Sequence, residues 1–128
     1  MTKYRINKTR FVDQTKTVSF TFDGKKYHGF EGDTLASALL SNGIHLIGRS
    51  FKYHRPRGIM SCGSEEPNAI CQINDNTDLT EPNVRATEIE LYEGLKVSSQ
   101  NCWPSLNFDI GGINNLISPF IPACWYKW

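Results

Sequence analysis

From Thr17 to Phe22 polar and apolar residues alternate: Val18, Phe20 and Phe22 fall between Thr17, Ser19 and Thr21. A period of two marks a strand with one face buried. Asp23-Gly24 then supplies the positive φ of a tight turn, and "KKYHGF" returns, so residues 17–30 read as a hairpin. The period changes in "EGDTLASALLSNGI". There Leu35, Ala36, Leu39 and Leu40 share one apolar face at helical spacing. The segment predicts a short helix of about ten residues. Asp33 is its expected N-cap, accepting a bond from a free first-turn amide, and Asn42-Gly43 supplies the left-handed stop.

Residues 44–67 have no clean period and are punctuated by Pro56, Gly58, Gly63 and Pro67. They read as a long loop with a short extended piece near Leu46. "NAICQI" (68–73) predicts a buried strand and "NDNTD" a turn. "VRATEIELY" (84–92) predicts a strand with a slip of register between Ala86 and Ile89, and "GLKVSSQ" (94–100) a weaker one. The order β-β-α-loop-β-β predicts an α+β domain. From residue 101 the character changes. "NCWPSLNFDIGGINNLISPFIPACWYKW" holds all three tryptophans and almost no charge, with neither period. It reads as an extended irregular tail whose apolar surface needs a partner. It would lead into a longer chain or wrap another domain or subunit; folding back over its own core is the alternative. The expected organisation is an arm (1–16), a domain (17–100) and the tail (101–128).

The 128 residues suit one domain with one modest core. Hydrophobic residues at 39% and charged residues at 21% give an ordinary soluble composition. A net charge of +1 argues against a dedicated nucleic-acid binder. No apolar run is long enough to span a bilayer, and "MTKYRINKTRF" lacks the apolar stretch of a signal peptide. A cytoplasmic protein is therefore expected. Without a secretory signal, Cys62, Cys71, Cys102 and Cys124 are expected as reduced, partly buried thiols.

Candidate chemistry concentrates in "SFKYHRPRGIMSCGSEEPNAICQI" (50–73), with Arg49 just before it. Arg49, Lys52, His54, Arg55 and Arg57 form a basic cluster suited to a phosphate or carboxylate. Phe51 and Tyr53 are interleaved as stacking residues would be. The nearby Glu65 and Glu66 favour a plainer reading, in which the arginines pair with acidic groups on this chain or a partner. An iron–sulfur cluster needs four converging thiolates, spaced Cys-x4-Cys-x2-Cys plus a distant fourth in plant-type ferredoxins. Here eight residues separate Cys62 from Cys71, and Ser64 to Asn68 fill the place of the middle cysteine. The spacing argues against a cluster, and no close ligand pair suggests zinc. A Cys62–Cys71 disulfide is open but not demanded. His28 and His45 have no evident catalytic partner in sequence. "IGGIN" (110–114) lacks the dinucleotide fingerprint, with no strand before it or helix after it. No catalytic residue and no metal site is assigned.

"GRSFKYHRPRGIMSCGSEEPNA" (48–69) and residues 81–128, notably "RATEIELYEGL", "SQNCWPSL" and "SPFIPACWYKW", resemble the N-terminal region of the alpha subunit of heterotetrameric sarcosine oxidase. More loosely, they are similar to the N-terminal domains of hydrogen cyanide synthase and opine oxidase subunits. The resemblance implies a β-grasp, 2Fe-2S ferredoxin-like fold. Relatives that hold a cluster place cysteines shortly after an Arg-Pro-Arg-Gly-like segment. Here Arg55-Pro56-Arg57-Gly58 stands without that cysteine pattern, so Cys62 and Cys71 are expected to be remnants of a cluster site. No cofactor is then expected on this chain. The resemblance also implies a complex that demethylates sarcosine oxidatively to glycine, with FAD, FMN and NAD bound elsewhere in it. The implied partners are the other subunits and the downstream part of the same chain, including a dinucleotide-binding domain; neither nucleic acid nor membrane is implied. The implied role is structural and subunit-docking, the chain alone being inactive. Arg49, Lys52, Arg55 and Arg57 would face a cofactor or partner. The alternative is a [2Fe-2S] electron-transfer module using Cys62, Cys71 and two further ligands.

Overall fold

Strands β1 (Asp13–Phe22) and β2 (Lys25–Glu31) form the expected hairpin in a computed structural model that describes residues 4–6, 12–74 and 80–120. Asp23 (φ 48°) and Gly24 (φ 76°) both adopt left-handed backbone, the pair of conformations a type I′ turn requires. Phe20 pairs with Tyr27 and Val18 with Gly29. The hairpin begins at Asp13, so residues 13–16 belong to the sheet and not to the N-terminal arm. Their polar sequence gave no period; pairing with β2, through an irregularity between Asp13 and Thr17, extends the strand.

Helix α1 (Leu35–Ser41) has seven residues, shorter than expected, and buries Leu35, Ala36, Ala38 and Leu39. Its N-cap is Thr34, whose hydroxyl accepts from the Ser37 amide, and not Asp33. Asp33 is buried and occupied elsewhere. It accepts from both terminal nitrogens of Arg5 (3.0 and 2.5 Å), from the Phe30 amide and from the Ser37 hydroxyl. A bidentate ion pair outcompetes the single bond a cap would make. The helix and the segment that follows Arg85 both press on β2: a Cβ at Gly29 would collide with the Leu91 side chain and crowd Ala38 of the helix.

Residues 44–67 are less irregular than their sequence. Two short strands, β3 (Gly48–Arg49) and β4 (Pro56–Arg57), pair antiparallel and fold the basic stretch into a small hairpin. The remaining strands are β5 (Ile70–Asn74), β6 (Thr80–Arg85) and β7 (Lys96–Ser99). Of the turn predicted over "NDNTD" (74–78), Asn74 is the last residue of β5 and 75–78 lie outside the described residues. The strand expected over 84–92 ends at Arg85. Ala86, Ile89 and Leu91 are buried, but they follow the helix and not the sheet: the Leu35 amide donates to Ile89 and the Leu91 amide to Asp33. Their apolar spacing reflects core contact outside the sheet, with only an isolated antiparallel bridge between Glu90 and Thr34.

The five-stranded sheet has the order β2-β1-β7-β5-β6, with β1 and β7 parallel and the other pairs antiparallel. This is the expected α+β, β-grasp arrangement. The segment that read as the weaker strand is its centre. Phe20, Phe22, Leu35, Leu39, Ile47, Leu95, Val97 and, from the tail, Leu106 are among the core residues. Fully burying such a side chain contributes about 1.5–3 kcal/mol relative to exposure. A short helix α2 (Ile113–Leu116) follows a 3-10 turn at Ile110–Gly112, so a helix does follow "IGGIN". Among the described residues, no helix is long and apolar enough to cross a membrane.

Candidate functional site

The hairpin over 48–57 turns tightly because the Ser50 amide donates to Arg55, the His54 amide returns to Ser50, and His54 itself has left-handed backbone (φ 52°). This geometry aims its side chains at the tail. Arg49 donates from Nε to the Leu106 carbonyl at 3.0 Å and from a terminal nitrogen to the His54 carbonyl at 2.9 Å. Both residues converge on Asp109, a carboxylate with no exposed side-chain surface. The His54 Nδ1 lies 2.8 Å and the Arg49 Nε 3.6 Å from Asp109 Oδ2. Asp109 Oδ1 accepts from the amides of Trp103 (2.9 Å) and Gly111 (3.2 Å). Burial pushes the Asp109 carboxyl up, but the Trp103 amide and then His54 outweigh it and hold its pKa below the ordinary value.

The rest of the basic cluster divides. Arg55 stacks its guanidinium over Tyr53, 4.7 Å from the ring centre, and donates to Asn115 Oδ1 at 2.8 Å. Asn114 donates to the Lys52 carbonyl, and the Lys52 ammonium lies 5.1 Å from the centre of the Tyr53 ring. Arg57 makes no side-chain hydrogen bond or ion pair with a described residue. Arg49 and Arg55 thus hold this chain's own tail, Arg49 beside the Asp109 carboxylate and Arg55 on the Asn115 amide, which is not an acidic group. Asp109, the centre of that arrangement, was missed in sequence. It lies 55 residues from His54, and only its isolation as an acidic group in an apolar segment marked it.

The tail is anchored at Leu106 and Asp109, yet it leaves large apolar side chains in water. Trp103, Phe108, Ile110, Ile113, Leu116 and Phe120 are all exposed, Leu116 at 78% and Phe120 at 88%. Residues 121–128, including Cys124, lie outside the description. Glu66, noticed in sequence only as a neighbouring charge, is buried within the loop that follows the basic hairpin.

The three described cysteines do not converge on a metal site. Cys62 is exposed in the loop, Cys71 is buried on β5, and Cys102 lies beside the Ser99 hydroxyl at 3.2 Å; all three are free thiols. The Cys71 thiol donates to the Val84 carbonyl at 3.4 Å. Burial, and then the charge of Asp23, push its pKa up to about 12. A metal-binding thiol needs the opposite environment, one that favours the thiolate.

Residues 15–102 match the 2Fe-2S iron-sulfur cluster binding domain family. The chain is 58% identical over 126 residues to the sarcosine oxidase subunit alpha of Rhizobium meliloti (strain 1021), covering 98% of this chain and 13% of that protein. It is 37% identical over 89 residues to the sarcosine oxidase subunit alpha of Corynebacterium sp. (strain U-96), covering 68% of this chain and 9% of that one. The chain therefore spans only a small part of the length of these relatives. Among solved structures it is similar to L-proline dehydrogenase from P. horikoshii, with a TM-score of 0.55 and 26% identity, over 73% of this chain and 17% of the other. The family match corrects the expectation that no cofactor goes with this chain, because the family is one of cluster-binding domains. The described residues nevertheless do not fit a cluster: no three His, Cys, Asp or Glu side chains among them come together as a metal site.

Proposed function

This chain belongs to the family of 2Fe-2S iron-sulfur cluster binding domains, and on that premise we propose that it is the N-terminal domain of a sarcosine oxidase alpha subunit with a structural and docking role. In this reading the whole assembly oxidises sarcosine to glycine, and this domain contributes no catalytic residue. The relationship to subunits named sarcosine oxidase alpha, at up to 58% identity, supports the placement. The observation that carries the docking role is the anchored but uncovered tail. Asp109 fixes the segment to the basic hairpin, while Trp103, Ile113, Leu116 and Phe120 stay exposed. Apolar surface held in place and left in water is the mark of an interface. Its occupant is the remainder of the same subunit, and Arg57, free of side-chain partners among the described residues, faces that remainder or another subunit.

Replacing Ile113, Leu116 and Phe120 with serine in the full-length subunit tests this. The oxidase should fail to assemble, while the same changes leave the unfolding midpoint of the isolated chain nearly unmoved. Normal assembly and turnover would overturn the reading, as would sarcosine-dependent peroxide formation by the isolated chain.

The family match favours a second reading, in which the domain binds a [2Fe-2S] cluster. Iron and acid-labile sulfide analysis, with a visible spectrum, on chain purified without oxygen decides between them. Stoichiometric iron and sulfide would support the second reading, and iron-free folded chain would overturn it.

A further inference from the structure

Glu66 is 1% exposed and makes no ion pair with a described residue, yet its carboxylate is fully satisfied. Oε2 accepts from the amides of Met60 (2.8 Å) and Ser61 (2.6 Å) and from the Ser61 hydroxyl (3.2 Å). Oε1 accepts from the amides of Asn68 (2.8 Å) and Ala69 (3.1 Å). Four backbone donors from the two ends of one loop thus meet around a single anion. The loop is pinned from outside. Thr87 donates to the Gly63 carbonyl at 2.8 Å and Arg85 to the Glu66 carbonyl at 3.1 Å, while the Ala86 amide bonds Ala69. Without that carboxylate, four amides would be left facing each other with no acceptor, which is unfavourable in a buried site.

Converging backbone amides form concavities that bind anions, phosphate and iron–sulfur sites among them. A buried charge stabilised only by dipoles requires those dipoles to be fixed in advance. We propose that loop 58–69 is an amide nest built for an anion, and that the Glu66 carboxylate is its resident occupant, a ligand supplied by the chain itself. In a family of cluster-binding domains, this loop closes around one of the chain's own side chains. The nest takes the carboxylate class, so a small external carboxylate should enter once the side chain is shortened. The ordinary alternative is a loop in which Glu66 merely makes whatever local bonds are at hand and no site remains when it is removed.

Two measurements on the full chain test this. Hydrogen exchange of the unaltered chain should show the amides of Met60, Ser61, Asn68 and Ala69 slowed at least about 100-fold relative to unstructured amides. In Glu66→Ala, formate should raise the thermal midpoint saturably by about 3–8 °C and shift those four amide resonances. Chloride at equal ionic strength should not, and the unaltered chain should not respond to formate. Exchange of the four amides at the unprotected rate overturns the proposal, and this holds even where the variant does not fold. In a folded variant, a formate response no larger than that of chloride, or equal to that of the unaltered chain, also overturns it.

Discussion

Loop 58–69 and tail 101–117 are each organised around one buried carboxylate, and they stabilise it in different ways. Glu66 accepts only neutral donors: four amides and a hydroxyl, all from its own loop. Asp109 takes two amides from its own segment, then a His54 ring and the Arg49 guanidinium from a hairpin more than fifty residues earlier. The first arrangement organises one loop around a carboxylate whose donors all come from that loop. The second joins two separate segments through an imidazole ring and a guanidinium. A buried anion held by dipoles shapes its own loop; one held by side-chain charges ties distant parts together.

The largest expected effect is at Glu66. Glu66→Gln sets an NH2 group against amide donors and should cost about 3–5 kcal/mol in urea unfolding. A loss below about 1 kcal/mol would remove the distinction between the two carboxylates. Acid sharpens the same test. Burial pushes the Glu66 carboxyl up, but the amides of Ser61, Asn68, Met60 and Ala69 outweigh it and bring its pKa from 4.5 down to about 2. A depressed carboxyl contributes stability above its unfolded value and loses it as pH falls through the folded one. The unaltered chain should therefore weaken between about pH 4.5 and pH 2, and Glu66→Gln should show a flatter dependence in urea midpoints taken across that range.

Asp109→Asn comes next. It keeps an acceptor for Trp103 and Gly111 but removes the charge facing His54 and Arg49, so about 1–3 kcal/mol should be lost. Hydrogen exchange should show the loss concentrated at the amides of Trp103, Ile110 and Gly111, with the four amides around Glu66 unchanged. Exchange that rises equally in both regions would mean they are not independent. The smallest effect is at Arg55, which is exposed over Tyr53: Arg55→Ala should cost under about 1 kcal/mol in the same unfolding assay. A larger loss would give the exposed edge of the hairpin the organising part assigned here to Asp109.

What was legible in the sequence was what neighbouring residues decide. Asp23-Gly24 between alternating segments announced a hairpin, and the spacing of Leu35, Ala36 and Leu39 announced a helix, both of which stand in the fold. Asp33 shows the limit. Its position suits a cap, but Arg5, 28 residues earlier, takes its carboxylate with two bonds and leaves capping to Thr34. "GLKVSSQ" read as a weak strand because Val97 is the one strongly apolar residue in the paired segment, yet β7 gains neighbours on both sides from distant sequence. Glu66 carried a faint signal, an acidic residue amid turn-forming Gly63, Ser64, Pro67 and Asn68 and just before a buried strand. Nothing local could distinguish it from Glu65, which stays exposed.

The position of β7 also sets the order in which this domain can be made. Its two hairpins, β1–β2 and β5–β6, are complete early, but they meet only through the strand that is synthesised after both. Loop closure over nearly the whole domain must precede that docking, which slows folding and leaves paired edges waiting. A nascent chain that has not yet released Lys96–Ser99 from the ribosome holds two half-sheets that only the contacts of α1 with residues 86–91 can join. Co-translational folding of this domain is therefore a single late event, with the unfilled centre of the sheet open to other strands until β7 arrives.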